Sequence, residues 1–312
     1  MHTLFERIDA AEHIVLIAHR HPDADSLGSA SALYSHLLRL QKKVTLFCAT
    51  EAIDAHLAYL PWYDKIRHSF PADADLAIAF DCGSLSRLGA EVTCDLVNID
   101  HHSGNEGYGT LAVVDTSAIS TTQLLYERFK EAQIPINAKM ATALYAGLLD
   151  DSRAFTVART DRRAFEMAAD LAGCGADIAA STRHLLQTVS LAAMRLKGRM
   201  LSSLQLLHEG RVACHIVERS VLEETGARAV DCDAALDESL YLPTVETAVL
   251  IRENRDGSLK ASLRTRTKRD MAAVAKRFGG GGHAHASGFE VSGMRIDALL
   301  EILLEYLEKE VE

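Results

Sequence analysis

A short and wholly apolar run near the start of the chain, residues 14–18, most limits how this protein can fold. Because no polar residue interrupts Ile-Val-Leu-Ile-Ala, the run predicts a strand buried on both faces, which is typical of a parallel sheet. The segment His-Arg-His-Pro-Asp-Ala-Asp-Ser follows at 19–26, and apolar residues then recur at helical spacing. Ser26 is a favourable N-cap residue, so we expect a helix to begin near it. Imidazoles and carboxylates are therefore expected where a central strand ends and a helix begins.

Three more apolar runs, at 44–48, 76–80 and 96–99, alternate with helical patterns. This alternation predicts an α/β fold with a parallel sheet and helices on both faces. Because the carboxyl ends of parallel strands share one edge of the sheet, the polar residues that follow these runs are expected to lie together. These candidates are His19, Asp23, Asp25, Asp81, Asp100, His101 and His102. A buried helical pattern that runs into Asp150 and Asp151 adds two further carboxylates.

Such a cluster predicts bound metal. Carboxylate and imidazole ligands without thiolates suit Mn²⁺, and after it Mg²⁺, better than a structural Zn²⁺. This number of anionic groups implies two divalent ions, which at about 3.5–4 Å apart share a water and lower its pKa. No side-chain nucleophile is then needed to attack a phosphorus atom. The alternatives are a solvated acidic turn for the first stretch and a salt bridge from Arg153 for the acids at 150–151.

Composition narrows the class of protein. A chain of 312 residues with 48% hydrophobic content can bury two cores, so we expect two domains. The net charge of -10 argues against a protein that coats long nucleic acid by bulk charge. Six cysteines without a CxxC pair favour reduced thiols in the cytoplasm. We expect neither a signal peptide nor a membrane span, because no apolar stretch approaches the roughly 20 residues that spanning needs.

The charge inverts in the second half of the chain. Seven lysines and arginines lie between Lys260 and Arg277, against one acid, Asp270. Arg264, near the end of a predicted strand, suits bidentate phosphate binding. The four glycines at 279–282 allow backbone amides to approach an anion, and His283 adds a donor. We predict a catalytic domain at 1–185, a connecting helix at 186–208 and a smaller α/β substrate-binding domain at 209–312.

The ordered motifs resemble those of the DHH phosphoesterase family, and in particular its two-domain nano-RNase members. The motifs are HRHPDADSLGS at 19–29, DCGSLSRLG at 81–89, DHH at 100–102, AGLLDDSRAF at 146–155, KASLRT at 260–265 and GGGGHAHASGF at 279–289. They span nearly the whole chain. The resemblance implies a parallel-sheet catalytic domain, a DHH-associated C-terminal domain that binds substrate, and a cleft between the two.

The resemblance also implies a role for each site residue. One metal would be held by His19, Asp23 and Asp81, and the other by Asp25, Asp81, His101 and Asp151, with Asp81 bridging. His102 would face the scissile phosphate, with Asp100 supporting the histidine pair. Arg264, Gly281, Gly282 and His283 would contact the substrate. The family commonly shows Thr-Asp-Thr-Gly where this chain has Asp-Asp-Ser-Arg at 150–153, so Asp150 is the alternative to Asp151.

A metal-dependent phosphoesterase is therefore the predicted function. The expected substrates are short RNA or DNA oligonucleotides, or 3′-phosphoadenosine 5′-phosphate. Linear or cyclic dinucleotides such as pApA, pGpG and c-di-AMP are the alternative substrates. A nucleotide-binding sensor that does not hydrolyse its ligand is the alternative class of protein. Such a protein would be expected to lose metal-ligating residues, whereas all the predicted metal ligands are present in this sequence. A homodimer is the expected assembly.

Overall fold

The computed structural model describes residues 3–309, which form two compact units that divide between Thr188 and Val189. The first unit is an α/β domain, as predicted. Its elements are α1 (Leu4–Ala10), β1 (His13–Ala18), α2 (Ala24–Arg39), β2 (Lys43–Cys48), β3 (Leu76–Phe80), β4 (Asp95–Asp100), β5 (Leu111–Val114), α3 (Thr121–Glu131), α4 (Ala138–Asp151), α5 (Arg162–Gly173) and α6 (Ile178–Leu186). Its five strands are all parallel, in the order β2-β1-β3-β4-β5.

The sheet is built on its most apolar strands. Every residue of β1 and β3 is buried, which explains why these runs lack the polar alternation of a half-exposed strand. Ile14 and Leu16 pack towards the helices, while Val15 and Ile17 pack into a cluster on the other face. Loop residues such as Tyr108 complete that second cluster. The edge strand β5 was not predicted from the sequence, because it is short and its burial alternates between half-buried and exposed residues.

Close packing of α2 on α4 fixes the helical layer over the sheet. Gly28 of α2 faces the backbone of α4, where an added Cβ would lie 2.4 Å from the Ala143 carbonyl oxygen. Gly147 of α4 is equally confined by residues of α2 and α3. These two glycines let three helices meet above the carboxyl end of the sheet, where the polar motifs lie.

The second unit is a mixed six-stranded sheet in the order β10-β11-β9-β8-β7-β6. Its elements are α7 (Leu191–Ser202), β6 (Gln205–Leu207), β7 (Val212–Val217), α8 (Arg219–Thr225), α9 (Asp233–Ser239), β8 (Thr247–Glu253), β9 (Leu259–Thr265), α10 (Met271–Lys276), β10 (Gly281–His283), β11 (Ala286–Val291) and α11 (Ile296–Lys309). The apolar side chains of α7 and α9 cover one face, and those of α10 and α11 cover the other. The predicted hairpin between β8 and β9 is present, with Gly257 at φ +81° in its turn.

The prediction of one connecting helix over 186–208 is wrong. The first helix ends at Leu186, a second runs from Leu191 to Ser202, and residues 205–207 form strand β6. Local capping explains the break, because the Thr188 hydroxyl donates to the Arg183 carbonyl and the Ser190 hydroxyl accepts from the Ala193 amide. The apolar periodicity of the sequence continues across this break, so the sequence pattern does not reveal that one helix ends and another begins.

Candidate metal centre

Three strand ends and two helix termini bring the predicted polar residues of the first unit together. His19 follows β1, Asp81 follows β3, and Asp100 is the last residue of β4. The N-cap of α2 is Asp23, and Asp151 ends α4. Parallel pairing of the strands places their carboxyl ends at one edge of the sheet, as the sequence predicts.

Three groups of side chains each offer ligand atoms that lie within 4.8 Å of one another, and Asp81 belongs to all three. Asp81, His101 and His102 form one of them, which overlaps the two that follow. His19, Asp23 and Asp81 form the first group, and Asp25, Asp81, His101 and Asp151 form the second. These are the two ligand sets that the family resemblance implies. The donor chemistry fits hard divalent cations, since every donor is a carboxylate oxygen or an imidazole nitrogen. Their role as metal ligands remains a prediction.

Asp81 joins the two groups through its two carboxylate oxygens. Oδ2 lies 3.5 Å from Nε2 of His19, and Oδ1 lies 3.4 Å from Nε2 of His101. Burial opposes ionisation, yet hydrogen bonds with His101 and His19 hold the pKa of Asp81 well below its usual range. The Asp81 backbone has φ +56°, a left-handed conformation that aspartate tolerates better than most residues. This turn after β3 directs one carboxylate towards both groups.

Asp25 is fully buried and is held by the N-terminus of α3. Its Oδ2 accepts from the Thr121 amide at 2.6 Å, and its Oδ1 accepts from the Thr122 amide at 2.8 Å. Burial, followed by the charges of Asp151 and Asp81, raises the pKa of Asp25 well above its ordinary value. A cation near these three carboxylates would therefore stabilise the ionised form.

The two adjacent acids at the end of α4 have different surroundings. Asp151 Oδ2 lies 3.0 Å from Nε2 of His101, inside the cluster. Asp150 Oδ2 instead accepts from the Ala24 amide at 3.2 Å, at the start of α2. Burial and the charge of Asp23 raise the pKa of Asp150 to about 7. The geometry therefore favours Asp151 as the ligand and gives Asp150 a capping contact.

His102 is positioned by Asp100 and points its other nitrogen outward. Asp100 is fully buried, and its Oδ1 lies 2.8 Å from Nδ1 of His102. The same carboxylate accepts from the amides of His101 and His102 and from the side chain of Asn105. Because the carboxylate is an acceptor, Nδ1 of His102 is the donor, and Nε2 is left for another partner. The His102 side chain is 41% exposed, so a ligand has access to it.

Arg87 and Thr121 contact the cluster, although neither is among the predicted site residues. Arg87 Nη2 lies 3.0 Å from Nδ1 and 3.3 Å from Nε2 of His19, and the Arg87 carbonyl accepts from the Arg20 amide. The Thr121 hydroxyl donates to Asp81 Oδ1 at 3.0 Å. Arg87 does lie inside the 81–89 motif, which was the available signal. Thr121 lies at the polar start of a helix, and hydroxyl residues at such a position usually cap the helix. The sequence therefore gave no further sign that Thr121 contacts the cluster.

The sequence matches the DHH family, N-terminal domain, over residues 13–148 and the DHHA1 domain over residues 212–309. It is 30% identical over its whole length to a Thermus thermophilus protein named bifunctional oligoribonuclease and PAP phosphatase NrnA, of which it covers 94%. The chain belongs to the DHH family. The predicted resemblance is thus confirmed.

Two further relatives extend this comparison. A Bacillus subtilis protein named cyclic-di-AMP phosphodiesterase GdpP is 24% identical over all of this chain, which covers 50% of that protein. The crystal structure of an exopolyphosphatase-related protein from Bacteroides fragilis has a TM-score of 0.88 and 24% identity, and the match covers 97% of this chain and 94% of that one. The latter likeness shows the fold alone. Among residues 3–309, no helix combines the length and apolar character that crossing a membrane requires.

Two of the predicted substrate contacts of the DHHA1 domain, Arg264 and His283, lie in one row across three strands. Arg264 on β9 is opposite Ala286 on β11, which in turn is opposite His283 on β10. Arg264 Nε lies 3.1 Å from Asp237 Oδ1, and its Nη2 lies 3.5 Å from Asp233 Oδ1, so α9 holds the guanidinium. His283 is exposed. The DHHA1 domain therefore places Arg264 and His283 on one face, and their contact with substrate remains a prediction.

The sequence suggests that the glycines at 279–282 leave space for an anion to approach the backbone, but Gly281 and Gly282 differ in the space around them. Gly281 has free space around it, as a backbone that receives an anion requires. At Gly282, which has φ +138°, a Cβ would lie 2.6 Å from the Ala286 carbonyl oxygen. Close hairpin packing is thus a sufficient reason for glycine at 282, independently of any ligand.

Metal binding is expected to release protons from His19 and His101. In the metal-free protein, burial disfavours the charged rings, but hydrogen bonds to Asp23 and Asp81 raise the pKa of His19 to about 10. Hydrogen bonds to Asp151 and Asp81 likewise raise the pKa of His101 to about 11. Ligation requires neutral imidazole, so affinity for Mn²⁺ rises with pH, by about 10²-fold per unit if two protons leave. Calorimetric titrations in buffers of different ionisation enthalpy measure the proton count.

The same shifts set the pH dependence of the metal-free fold. Both folded-state pKa values exceed the ordinary value of 6.5, so protonation of His19 and His101 stabilises the folded protein. This stabilisation is complete below about pH 6.5 and is lost as pH rises through about 10 for His19 and about 11 for His101. A His101→Gln variant should release about one proton fewer on binding Mn²⁺. An Mn²⁺ affinity that does not change with pH would contradict the assignment.

Replacement of Gly147 by Ala is expected to disturb the Asp25 pocket. The new Cβ would lie 2.5 Å from Asp25 Oδ1 and 2.6 Å from Thr122 Cγ2, so helices or side chains must shift. Overpacking of this kind costs about 1–3 kcal/mol. Urea unfolding of the metal-free protein measures the loss. The control is Gly198→Ala, because Gly198 lies in a helix with nothing near its added Cβ, and it should stabilise slightly. Equal stability of the two variants would refute the packing argument.

Proposed function

We propose that this protein hydrolyses phosphoester bonds in short nucleotides, with two divalent cations held by the two ligand groups that share Asp81. The observation that carries the proposal is the shared carboxylate, flanked by a histidine on each side. When bound, such ions supply Lewis-acid charge and lower the pKa of a water near the scissile phosphate. Mn²⁺ as the preferred ion, a cytoplasmic location and a homodimer remain predictions from the sequence.

The protein's own residues have separate tasks in this reaction. His19, Asp23 and Asp81 would hold one cation, and Asp25, Asp81, His101 and Asp151 the other. Asp100 fixes His102 through Nδ1, and this hydrogen bond raises the pKa of His102, so that the protonated ring can donate from Nε2 to a phosphoryl oxygen as charge develops. The Arg87 guanidinium, whose Nη2 lies 3.0 Å from Nδ1 of His19, provides a further cation beside the site. In the DHHA1 domain, Arg264, Gly281, Gly282 and His283 would bind the part of the substrate that is not cleaved.

Short oligoribonucleotides and 3′-phosphoadenosine 5′-phosphate are the proposed substrates, since the Thermus relative is named for activity on both classes. Dinucleotides are the second candidate, because the Bacillus relative matched over this whole chain is named a cyclic-di-AMP phosphodiesterase. A sensor without turnover is disfavoured by the complete set of ligand side chains.

The test is a parallel assay of the purified protein with Mn²⁺ or Mg²⁺. The substrates are 3′-phosphoadenosine 5′-phosphate, pApA, c-di-AMP, a labelled RNA of a few nucleotides and a labelled long RNA. Release of mononucleotide from the short substrates, with the long RNA spared, is the expected result. Turnover of dinucleotides alone would favour the second candidate. Tight nucleotide binding without release, in protein shown to bind metal, would refute hydrolysis and favour a sensor.

A further inference from the structure

We infer that Arg252 and Lys260, on one face of the DHHA1-domain sheet, form an anion site for the phosphates of a nucleotide chain. The inference rests on the proposed function, because it assigns these residues to the tail of an oligonucleotide substrate. The inference adds to that function the residues that would favour longer oligonucleotides over shorter ones. The residues lie in a cavity apart from the row of Arg264 and His283.

The two cations face each other without any compensating bond. Arg252 on β8 and Lys260 on β9 are direct partners in an antiparallel pair, so their side chains leave the same face of the sheet. Like charges in this arrangement destabilise a sheet. Within residues 3–309, neither side chain makes a hydrogen bond or an ion pair. Other exposed arginines of this unit, such as Arg219 and Arg295, do pair with acids.

A cavity of about 290 Å³ lies at these cations. Leu250, Ser262 and Asp233 line it together with Arg252 and Lys260. The volume is close to the lower end of the range for ligand pockets, about 300 Å³. Among the described residues that line it, Asp233 is the one acid, and Arg264 Nη2 lies 3.5 Å from its Oδ1. Burial and the charge of Asp237 raise the pKa of Asp233, while Arg264, Lys260 and Arg252 oppose that rise, so three cations act on these two carboxylates.

The spacing of the cations favours a chain of phosphates over one isolated phosphate. Arg264, Ser262 and Lys260 alternate along β9 and therefore share one face, with Arg264 and Lys260 about 13 Å apart. Arg252 also lines a neighbouring cavity of about 600 Å³, whose lining holds Arg255, Glu223 and Glu253 together with the ion-paired Arg219 and Arg228. The three cations Arg264, Lys260 and Arg252 on this face stand out in a chain of net charge -10. Guanidinium groups suit phosphate oxygens through bidentate hydrogen bonds.

The experiment compares RNAs of two and six nucleotides on Arg252→Ala, Lys260→Ala and Arg252→Lys. The control is Arg295→Ala, which removes one cation before α11, on the opposite face of the sheet. Anisotropy of a labelled hexanucleotide in EDTA measures binding without metal or turnover. We expect each alanine variant to raise Kd for the hexanucleotide about tenfold and to reduce the salt slope by about 0.7. Arg252→Lys should keep most of the binding.

Hydrolysis by the metal-loaded protein provides the second readout. KM for the hexanucleotide should rise more than KM for the dinucleotide in both alanine variants, with kcat little changed. Equal binding of the hexanucleotide by Arg252→Ala and Arg295→Ala would overturn the inference. If a free mononucleotide changes the rate of dinucleotide hydrolysis and Arg252→Ala abolishes that effect, the site binds a separate nucleotide and the assignment to the substrate tail is wrong. If the parent protein binds the hexanucleotide through Arg252 but hydrolyses nothing, only the proposed function fails.

Discussion

Replacement of Asp81 by Asn is expected to lower kcat by about 10³-fold or more while the protein still folds. Asp81 places one oxygen towards His19 and the other towards His101, so its charge serves both ligand groups. Loss of a bridging carboxylate removes several kcal/mol of transition-state stabilisation, which corresponds to about 10³-fold or more in rate. Asn is the substitution of choice because it tolerates the left-handed backbone at φ +56°. Ala at this position would add about 1–2 kcal/mol of strain and confuse the result.

The measurement combines kcat at saturating Mn²⁺ with metal stoichiometry and thermal unfolding. Asp73→Asn is the matched control, since Asp73 is an exposed acid paired with Lys43, outside the cluster. The parent and the control should bind two ions per chain, and Asp81→Asn should bind them more weakly. If Asp81→Asn kept full activity, the assignment of Asp81 as the carboxylate shared by both ligand groups would be wrong, whatever the metal content of the variant.

Asp151→Asn and Asp150→Asn are expected to differ by about 10²-fold in kcat/KM, although the residues are neighbours. Asp151 contacts Nε2 of His101 within the second ligand group, and loss of a ligand or its support typically costs about 10–100-fold in metal affinity or activity. Asp150 accepts one hydrogen bond from the Ala24 amide, which the Asn carbonyl can still accept. Asp150→Asn should therefore retain activity within about threefold.

Asp150→Asn is also expected to change the stability of the metal-free protein. Burial and the charge of Asp23 raise the pKa of Asp150 to about 7, so its charged form destabilises the fold increasingly as pH rises above the ordinary carboxyl range. Asp150→Asn should consequently raise Tm at pH 8 more than at pH 5. If Asp150→Asn lost activity and Asp151→Asn kept it, the ligand assignment would be reversed.

The sequence alone determined the α/β class of the first unit and the edge of the sheet at which the candidate site residues meet. The apolar runs at 14–18 and 76–80 lie fully buried in the parallel sheet, and the residues after them meet at its carboxyl edge. This success has a topological reason. Parallel strands in one sheet must end at one edge, so residues distant in sequence come together once the strands are recognised.

Only the tertiary structure decided which atoms meet there. The choice between Asp150 and Asp151 depends on the rotation of α4 about its axis, which its packing on α2 through Gly28 and Gly147 sets. In the same way, the register of β8 and β9 places Arg252 opposite Lys260, and α9 lies near enough for Asp237 to hold Arg264. Local patterns specify where strands and helices occur. Helix rotation, strand register and side-chain partners depend on contacts between segments far apart in sequence, and for this reason they had to come from the folded chain.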